Sequence, residues 1–295
     1  MQTETIDLVR EFPFLKRYNS RAVLQVYLRG RYAEFNGTSR YPGLLICPGG
    51  GYEYTSQREA EPVALEFLAR GYQCFVLRYS CRYVCAPDGP DCRPETLEER
   101  EVHFPVQLLE AACAMRLIRS RAADFAVQPD RVAAMGFSAG GHLAAMLGTM
   151  WDAPEIRETL GDAGGLRPDA LCLGYPVIDS GTFAHAGTLA CLLGKDPDPA
   201  LARRMALQQA VRPDMMPTFL WHTAADQSVP VQNSLLFAQA LAGAGVPFSL
   251  HIFPNGAHGL SLASALSALE QDPASRMDPQ AAQWPALFDQ WMQAL

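Results

Sequence analysis

A serine among small residues, in Gly136-Phe137-Ser138-Ala139-Gly140-Gly141, lies between an apolar run at Arg131–Gly136 and a segment of helical period from Ala139 to Met150. The G-x-S-x-G spacing lets the chain make a sharp strand-to-helix turn that lifts a serine hydroxyl clear of a sheet edge, where it can act as a nucleophile. The five residues alone also suit an ordinary glycine-rich turn. The strand before and the helix after are the context that the nucleophilic reading requires. A serine hydroxyl is weak at its own pKa, so the chemistry needs a histidine within hydrogen-bond reach and a carboxylate to orient that histidine.

Chain order narrows the choice, because in such sites the acid and then the base follow the serine. His103 precedes Ser138, His142 lies one turn beyond it on the same helical segment, and His222 and His251 fall inside strand-like runs. His258 stands in Pro254-Asn255-Gly256-Ala257-His258-Gly259, a glycine-flanked loop after the last strand, where an accessible imidazole is expected; the competing reading is a histidine that only serves the turn. Asp226 directly follows the strand Thr218–Thr223 and is the expected orienting acid. Asp179, one strand earlier, is its competitor, and either can be an ordinary turn aspartate.

Acyl transfer also needs N–H donors aimed at a developing oxyanion, each worth about 3 to 4 kcal/mol. Ala139, next after the serine, is one expected donor. Gly50 or Gly51, rather than Gly49, is the other, in Pro48-Gly49-Gly50-Gly51-Tyr52 directly after the strand Gly43–Cys47. A phosphate loop would continue as G-K-S or G-K-T, and a dinucleotide loop would space its glycines as G-x-G-x-x-G; neither pattern is present. Tyr52, Tyr54 and Arg58 follow these glycines and are candidates to line a substrate site. The alternative makes them helix-start packing and a surface ion pair.

The elements that must position these residues alternate. Further strands are expected at Ala22–Leu28, Gln73–Tyr79, Ala170–Tyr175 and Phe248–Phe253, and helices at Pro62–Arg70, Val106–Asp124 and Asn233–Ala244. Such alternation implies an α/β fold with a mainly parallel central sheet flanked by helices, and chemistry gathered at the carboxyl ends of its strands. Residues 80–102 and 181–217 break the alternation and read as small cap insertions over the active edge. A single domain over 1–295 is the expectation from length.

Hydrophobic residues make up 49% of the chain and charged ones 19%, enough apolar material for a sizeable core. The net charge of -7, without a basic run, excludes nucleic acid as an expected partner. The start of the chain shows neither a leader pattern nor a span of about 20 apolar residues, as expected for a cytoplasmic protein without a membrane partner. The eight cysteines are expected to be reduced. Cys81, Cys85 and Cys92 match no zinc spacing, His103 is a poor fourth ligand, and no metal is expected.

Several segments together, Cys47–Tyr52, Ser56–Pro62, Gly136–Ala145, Tyr175–Ile178 and His251–Gly259, resemble bacterial acetyl-xylan-esterase-like α/β-hydrolases, relatives of the hormone-sensitive-lipase type. The resemblance covers about residues 40 to 260. It implies the α/β-hydrolase fold, a serine esterase, no cofactor, and an acetylated xylo- or other oligosaccharide as the small-molecule substrate. Pro48 stands where many relatives carry histidine, and Ala225-Asp226 where two aspartates are common; neither change removes a catalytic part. A general short-chain carboxylesterase, a peptidase of the prolyl-oligopeptidase kind and a non-catalytic binding protein are the other readings. Trp284 and Trp291, at helical spacing, are expected on a docked amphipathic helix. The residues do not decide between a monomer and a homodimer.

Overall fold

The computed structural model describes residues 1–30, 34, 39–83 and 99–295. Its eight strands are β1 (Gln2–Asp7), β2 (Val23–Leu28), β3 (Tyr41–Cys47), β4 (Gln73–Arg78), β5 (Val127–Phe137), β6 (Ala170–Gly174), β7 (Thr218–Thr223) and β8 (Phe248–Phe253). They form one sheet in the order β1-β2-β4-β3-β5-β6-β7-β8. The pairs β1–β2 and β2–β4 are antiparallel and all the others parallel. The helices among the described residues are α1 (Leu8–Glu11), α2 (Glu61–Ala69), α3 (Val106–Ser120), α4 (Ala139–Met150), α5 (Pro154–Leu160), α6 (Ala186–Leu193), α7 (Pro199–Arg204), α8 (Gln232–Ala244) and α9 (Trp284–Ala294).

The inner strands read as continuous apolar runs because helices cover both faces of the sheet. Successive side chains point to opposite faces. Leu45 and Cys47 join the core built with α3 and α4, while Leu44 and Ile46 join the core built with α2 and α9. Every residue of α4 is buried. On the other face Trp284 and Phe288 of α9 pack on Phe67, Phe219 and Trp221, with Trp291 partly buried beside them. The docked amphipathic helix expected at the chain's end is therefore present.

The chain passes from β3 to β4 on one side and then to β5 on the other side of β3. This reversal opens a crevice beyond the carboxyl ends of β3 and β5, the place where ligands bind in such sheets. Cys47 pairs with Gly136 there, so the glycines after β3 and the serine after β5 are neighbours.

The expected bounds of β7, β8 and α4 coincide with those observed, and β5 begins four residues earlier than expected. Strand β1 was not expected. It exposes every side chain except Ile6 and is held by backbone pairing along β2, so no apolar alternation marks it. The insertion at 181–217 folds into α6, α7 and the turn Leu207–Ala210. That at 80–102 lies mostly outside the described residues, its ends closed by a bridge between Tyr83 and Glu99.

Candidate active site

Ser138 sits at the turn from β5 to α4 with φ 53 and ψ -120, a conformation that L residues rarely adopt. The neighbours impose it. A Cβ on Gly136 would overlap the Gly140 carbonyl, and one on Gly140 would overlap the carbonyls of Cys47 and Pro48. Only glycine at both positions lets the first turn of α4 close on the end of β3. The Ser138 backbone is further fixed by its N–H to the Gly174 carbonyl at 3.1 Å and by the Val177 N–H to its own carbonyl at 3.1 Å. This is the strained elbow expected of a serine presented as a nucleophile.

His258, from the loop after β8, places Nε2 2.7 Å from Ser138 Oγ and Nδ1 2.6 Å from Asp226 Oδ2. A carboxylate can only accept, so Nδ1 carries the proton and Nε2 is left to accept from the serine. The tautomer is the one in which the serine can be deprotonated. Asp226, in the loop after β7, is 5% exposed, and its Oδ1 accepts the N–H groups of Ser228 and Val229 at 2.9 and 3.0 Å. Burial alone would raise its pKa; hydrogen bonds from His222 and His258, the charge on His258 and the Val229 N–H outweigh it and hold the carboxyl well below the usual range. His222, buried on β7, brings Nε2 to 3.4 Å from Asp226 Oδ2 and 3.0 Å from the Val229 carbonyl. Both partners only accept, so Nε2 is protonated and the Ser234 hydroxyl, 2.8 Å away, donates to Nδ1.

The glycine loop after β3 faces this pair. The Gly49 N–H donates to Glu59 Oε2 at 2.8 Å. Among the described residues no hydrogen bond engages the N–H of Gly50, Gly51 or Ala139. The Ala139 N–H belongs to the first turn of α4, where donors lack partners within the helix and the helix dipole favours negative charge. Glu59 is itself buried and accepts from Tyr175 Oη at 2.6 Å, and the same phenol accepts the Ser261 N–H at 2.8 Å. One buried carboxylate thus ties the glycine loop to the histidine loop.

Ser138 and His258 open into a cavity of about 300 Å³. Gly50, Gly51, Tyr54 and Arg58 line it, as anticipated. Tyr52 does not. It takes φ 59 after the glycines, which turns its ring inward against Tyr79 and His142, and it is fully buried with Oη 3.0 Å from His142 Nδ1. Among the described residues Arg58 makes no surface ion pair; its guanidinium donates to the carbonyls of Gly259 and Ser267 at 2.9 and 3.1 Å. Asp179 accepts from the Phe183 N–H and Gln208 Nε2, at 2.9 and 2.8 Å, so it organises the start of the insertion and leaves the histidine to Asp226.

The sequence did not single out His185, Thr188, Glu59 or Arg276, all of which line the cavity. His185 precedes α6; Nδ1 accepts the Thr188 N–H at 3.2 Å, so its proton sits on Nε2. Burial, then the charge on His258, lowers its pKa, while Asp226 and Glu53 pull the other way. Its only sequence signal was a histidine inside an insertion. Cys85 and Cys92 lie outside the described residues; among those described, six cysteines are free and buried, and no cluster of metal ligands occurs. No helix of the described residues is long and apolar enough to cross a membrane.

A model of the BD-FAE family matches residues 94–241, half of the chain, spanning Ser138 and Asp226 but ending before His258. Over 223 residues the chain is 35% identical to endo-1,4-β-xylanase B of Butyrivibrio fibrisolvens, covering 75% of this chain and 33% of that protein. Over 222 residues it is 31% identical to the acetylxylan esterase of Xylanibacter ruminicola, covering 73% and 40%. The chain therefore spans well under half the length of these two relatives. It is also similar to the crystal structure of an acetyl ester-xyloside bifunctional hydrolase from Caldicellulosiruptor lactoaceticus. That likeness has a TM-score of 0.78 at 34% identity, over 99% of this chain and 96% of the other. With half of its length under the family model and nearly all of it superimposing on a relative of this identity, the chain belongs to the BD-FAE family and has the α/β-hydrolase fold.

Proposed function

We propose that the protein removes acetyl groups from acetylated xylo- or other oligosaccharides, with Ser138 as nucleophile, His258 as base and Asp226 as its orienting acid. The observation that carries this reading is the lining of the cavity beside the serine. Among the described residues it holds Glu, Ser, Thr, Arg, His, Gly and one Tyr, and no Leu, Ile, Val, Phe or Met. A long acyl chain would find no apolar wall there and would forgo the roughly 0.8 kcal/mol per CH₂ that burial normally provides. A small acyl group on a hydroxyl-rich alcohol matches the lining.

In the proposed cycle Ser138 Oγ gives its proton to His258 Nε2 and attacks the acetyl carbonyl. The N–H groups of Ala139 and of Gly50 or Gly51 receive the oxyanion, and Asp226 stabilises the imidazolium. Collapse breaks the C–O bond to the sugar, which leaves with the proton from His258. Water then attacks the acetyl-serine with His258 again as base, and acetate departs.

Acetate release from acetylated xylo-oligosaccharides, measured beside hydrolysis of a long-chain acyl ester in wild type and Ser138→Ala, tests this. The expected result is rapid acetate release that disappears in the variant, with little turnover of the long ester. Preference for the long ester would replace the sugar deacetylase with a general carboxylesterase. Turnover independent of Ser138 would overturn the assignment of the nucleophile.

A further inference from the structure

We infer that the substrate carries a carboxylate on the sugar part, and that Arg58 and Arg276 on the His258 side of the cavity hold it. The inference rests on the sugar-ester reading and narrows its substrate to acidic, uronate-bearing esters. Arg58 donates to the carbonyls of Gly259 and Ser267 and Arg276 to that of His258, so two cations grip the loop that carries the proposed base. Among the described residues neither guanidinium has a carboxylate within 4.0 Å, although the chain holds 31 acidic residues against 24 basic ones.

Arg119 shows the contrast. It too donates to three backbone carbonyls, those of Pro129, Gly165 and Arg167, but its remaining edge is closed by Asp169 at 2.7 Å. Arg204 and Arg212 are likewise paired, with Glu155 and with Asp152 and Asp214. The acids that share the cavity do not serve Arg58 and Arg276. Glu59 is engaged by Tyr175 and Gly49, and Glu53 lies towards Cys191 on the insertion side.

Arg58, Gly259 and Arg276 line the same cavity of about 300 Å³ as Ser138 and His258. Position 259 is a glycine with φ 78, and the point where a Cβ would sit is 3.4 Å from Arg58 Nη2 and 3.8 Å from Arg276 Nη1. Both guanidiniums thus converge on a face that carries no side chain. Each keeps N–H donors beyond those given to carbonyls, and planar guanidinium groups bind carboxylates through paired, charge-assisted hydrogen bonds.

A matched pair of acetylated methyl glycosides tests this, one of glucose and one of glucuronic acid, which differ only at C6. Wild type is expected to show at least a tenfold higher kcat/KM on the glucuronoside, expressed mainly in KM and weakened by added salt. In Arg276→Gln and Arg58→Gln the ratio of the two substrates should fall towards one, and Arg276→Lys, which keeps the charge, should restore part of it. A wild-type ratio near one would overturn the inference, and this result does not depend on any variant folding. So would variants that lose both substrates in parallel at an unchanged ratio, the mark of arginines that only hold the loop. A ratio near one, together with inhibition by free acetate that weakens in Arg276→Gln, would assign the cations to the product carboxylate and overturn it too. No Ser138-dependent acetate release from either glycoside would sink the esterase reading itself, and this inference with it.

Discussion

The two walls of the cavity are built differently. The serine wall is made of the ends of β3, β5 and β6 and the first turn of α4, where backbones touch, every residue of α4 is buried and Ser138 is 8% exposed. The facing wall is made of loops: residues 51–59, the approach to α6, and the stretch from Gly259 to Arg276. Its side chains Tyr54, Arg58, His185 and Arg276 are only partly buried. The serine and the helix N–H beside it stand on rigid elements, while the side chains proposed to meet the substrate stand on loops, the more variable part of a fold.

That difference can be broken first at Gly140. An added methyl there overlaps the carbonyls of Cys47 and Pro48, which cannot yield without moving β3. Gly140→Ala is expected to lose about 4 kcal/mol or more of stability in urea denaturation, or to yield no folded protein. A folded, active variant would show that the serine wall is looser than described. Next comes Glu59→Gln. Gly49 N–H and Tyr175 O–H both donate to Glu59, and an amide offers one acceptor oxygen in place of two, so one of these donors loses its acceptor. The expected effect is a fall in kcat of about 100-fold with KM little changed, because the glycine loop that would meet the oxyanion is released. Equal losses in kcat and in thermal stability at saturating substrate would instead make Glu59 a structural residue only.

The serine wall should also respond to pH. Burial pushes the His142 pKa down to about 4 from its ordinary 6.5, with the Met205 carbonyl opposing in part. Between these values the unfolded chain binds more protons than the folded one. The contribution is therefore complete above about pH 6.5 and is lost as pH falls towards 4. Between pH 7 and 5 it amounts to about 2 kcal/mol, measurable by urea denaturation, and His142→Gln should reduce the pH dependence by that amount. An unchanged slope would show that His142 is not the titrating group. The smallest effect belongs to the facing wall. A methyl on Gly187 meets nothing nearer than His185 Cε1 at 3.6 Å. Gly187→Ala, within α6, should leave stability unchanged or raise it by up to about 1 kcal/mol. A loss comparable to that at Gly140 would erase the distinction between the walls.

The same contrast explains what could be read from the sequence. Ser138, Asp226 and His258 each stand in the turn or loop that follows a strand whose apolar run marks it, and chain order narrowed the choice. Tyr52 was misplaced because a positive φ, invisible in the residue pattern, turns its ring into the core. Glu59 lay within a recognised segment without a role, since its partners Tyr175 and Gly49 are distant in sequence. His185 and Arg276 stand on segments without apolar period, where only the folded chain says what they face. Strand β1 went unseen because an edge strand can rest on backbone pairing with one buried side chain.

The most direct measurement is covalent. Wild type and Ser138→Ala would be treated with a fluorophosphonate, followed by intact-mass and peptide mass spectrometry, with acetate release from acetylated xylo-oligosaccharides assayed in parallel. A serine activated by His258 at 2.7 Å should give one adduct, on the peptide bearing Ser138, with activity lost in step, and the variant should give neither adduct nor activity. An adduct on another serine, or acetate release that survives in Ser138→Ala, would contradict the assignment of Ser138, His258 and Asp226 as the catalytic group.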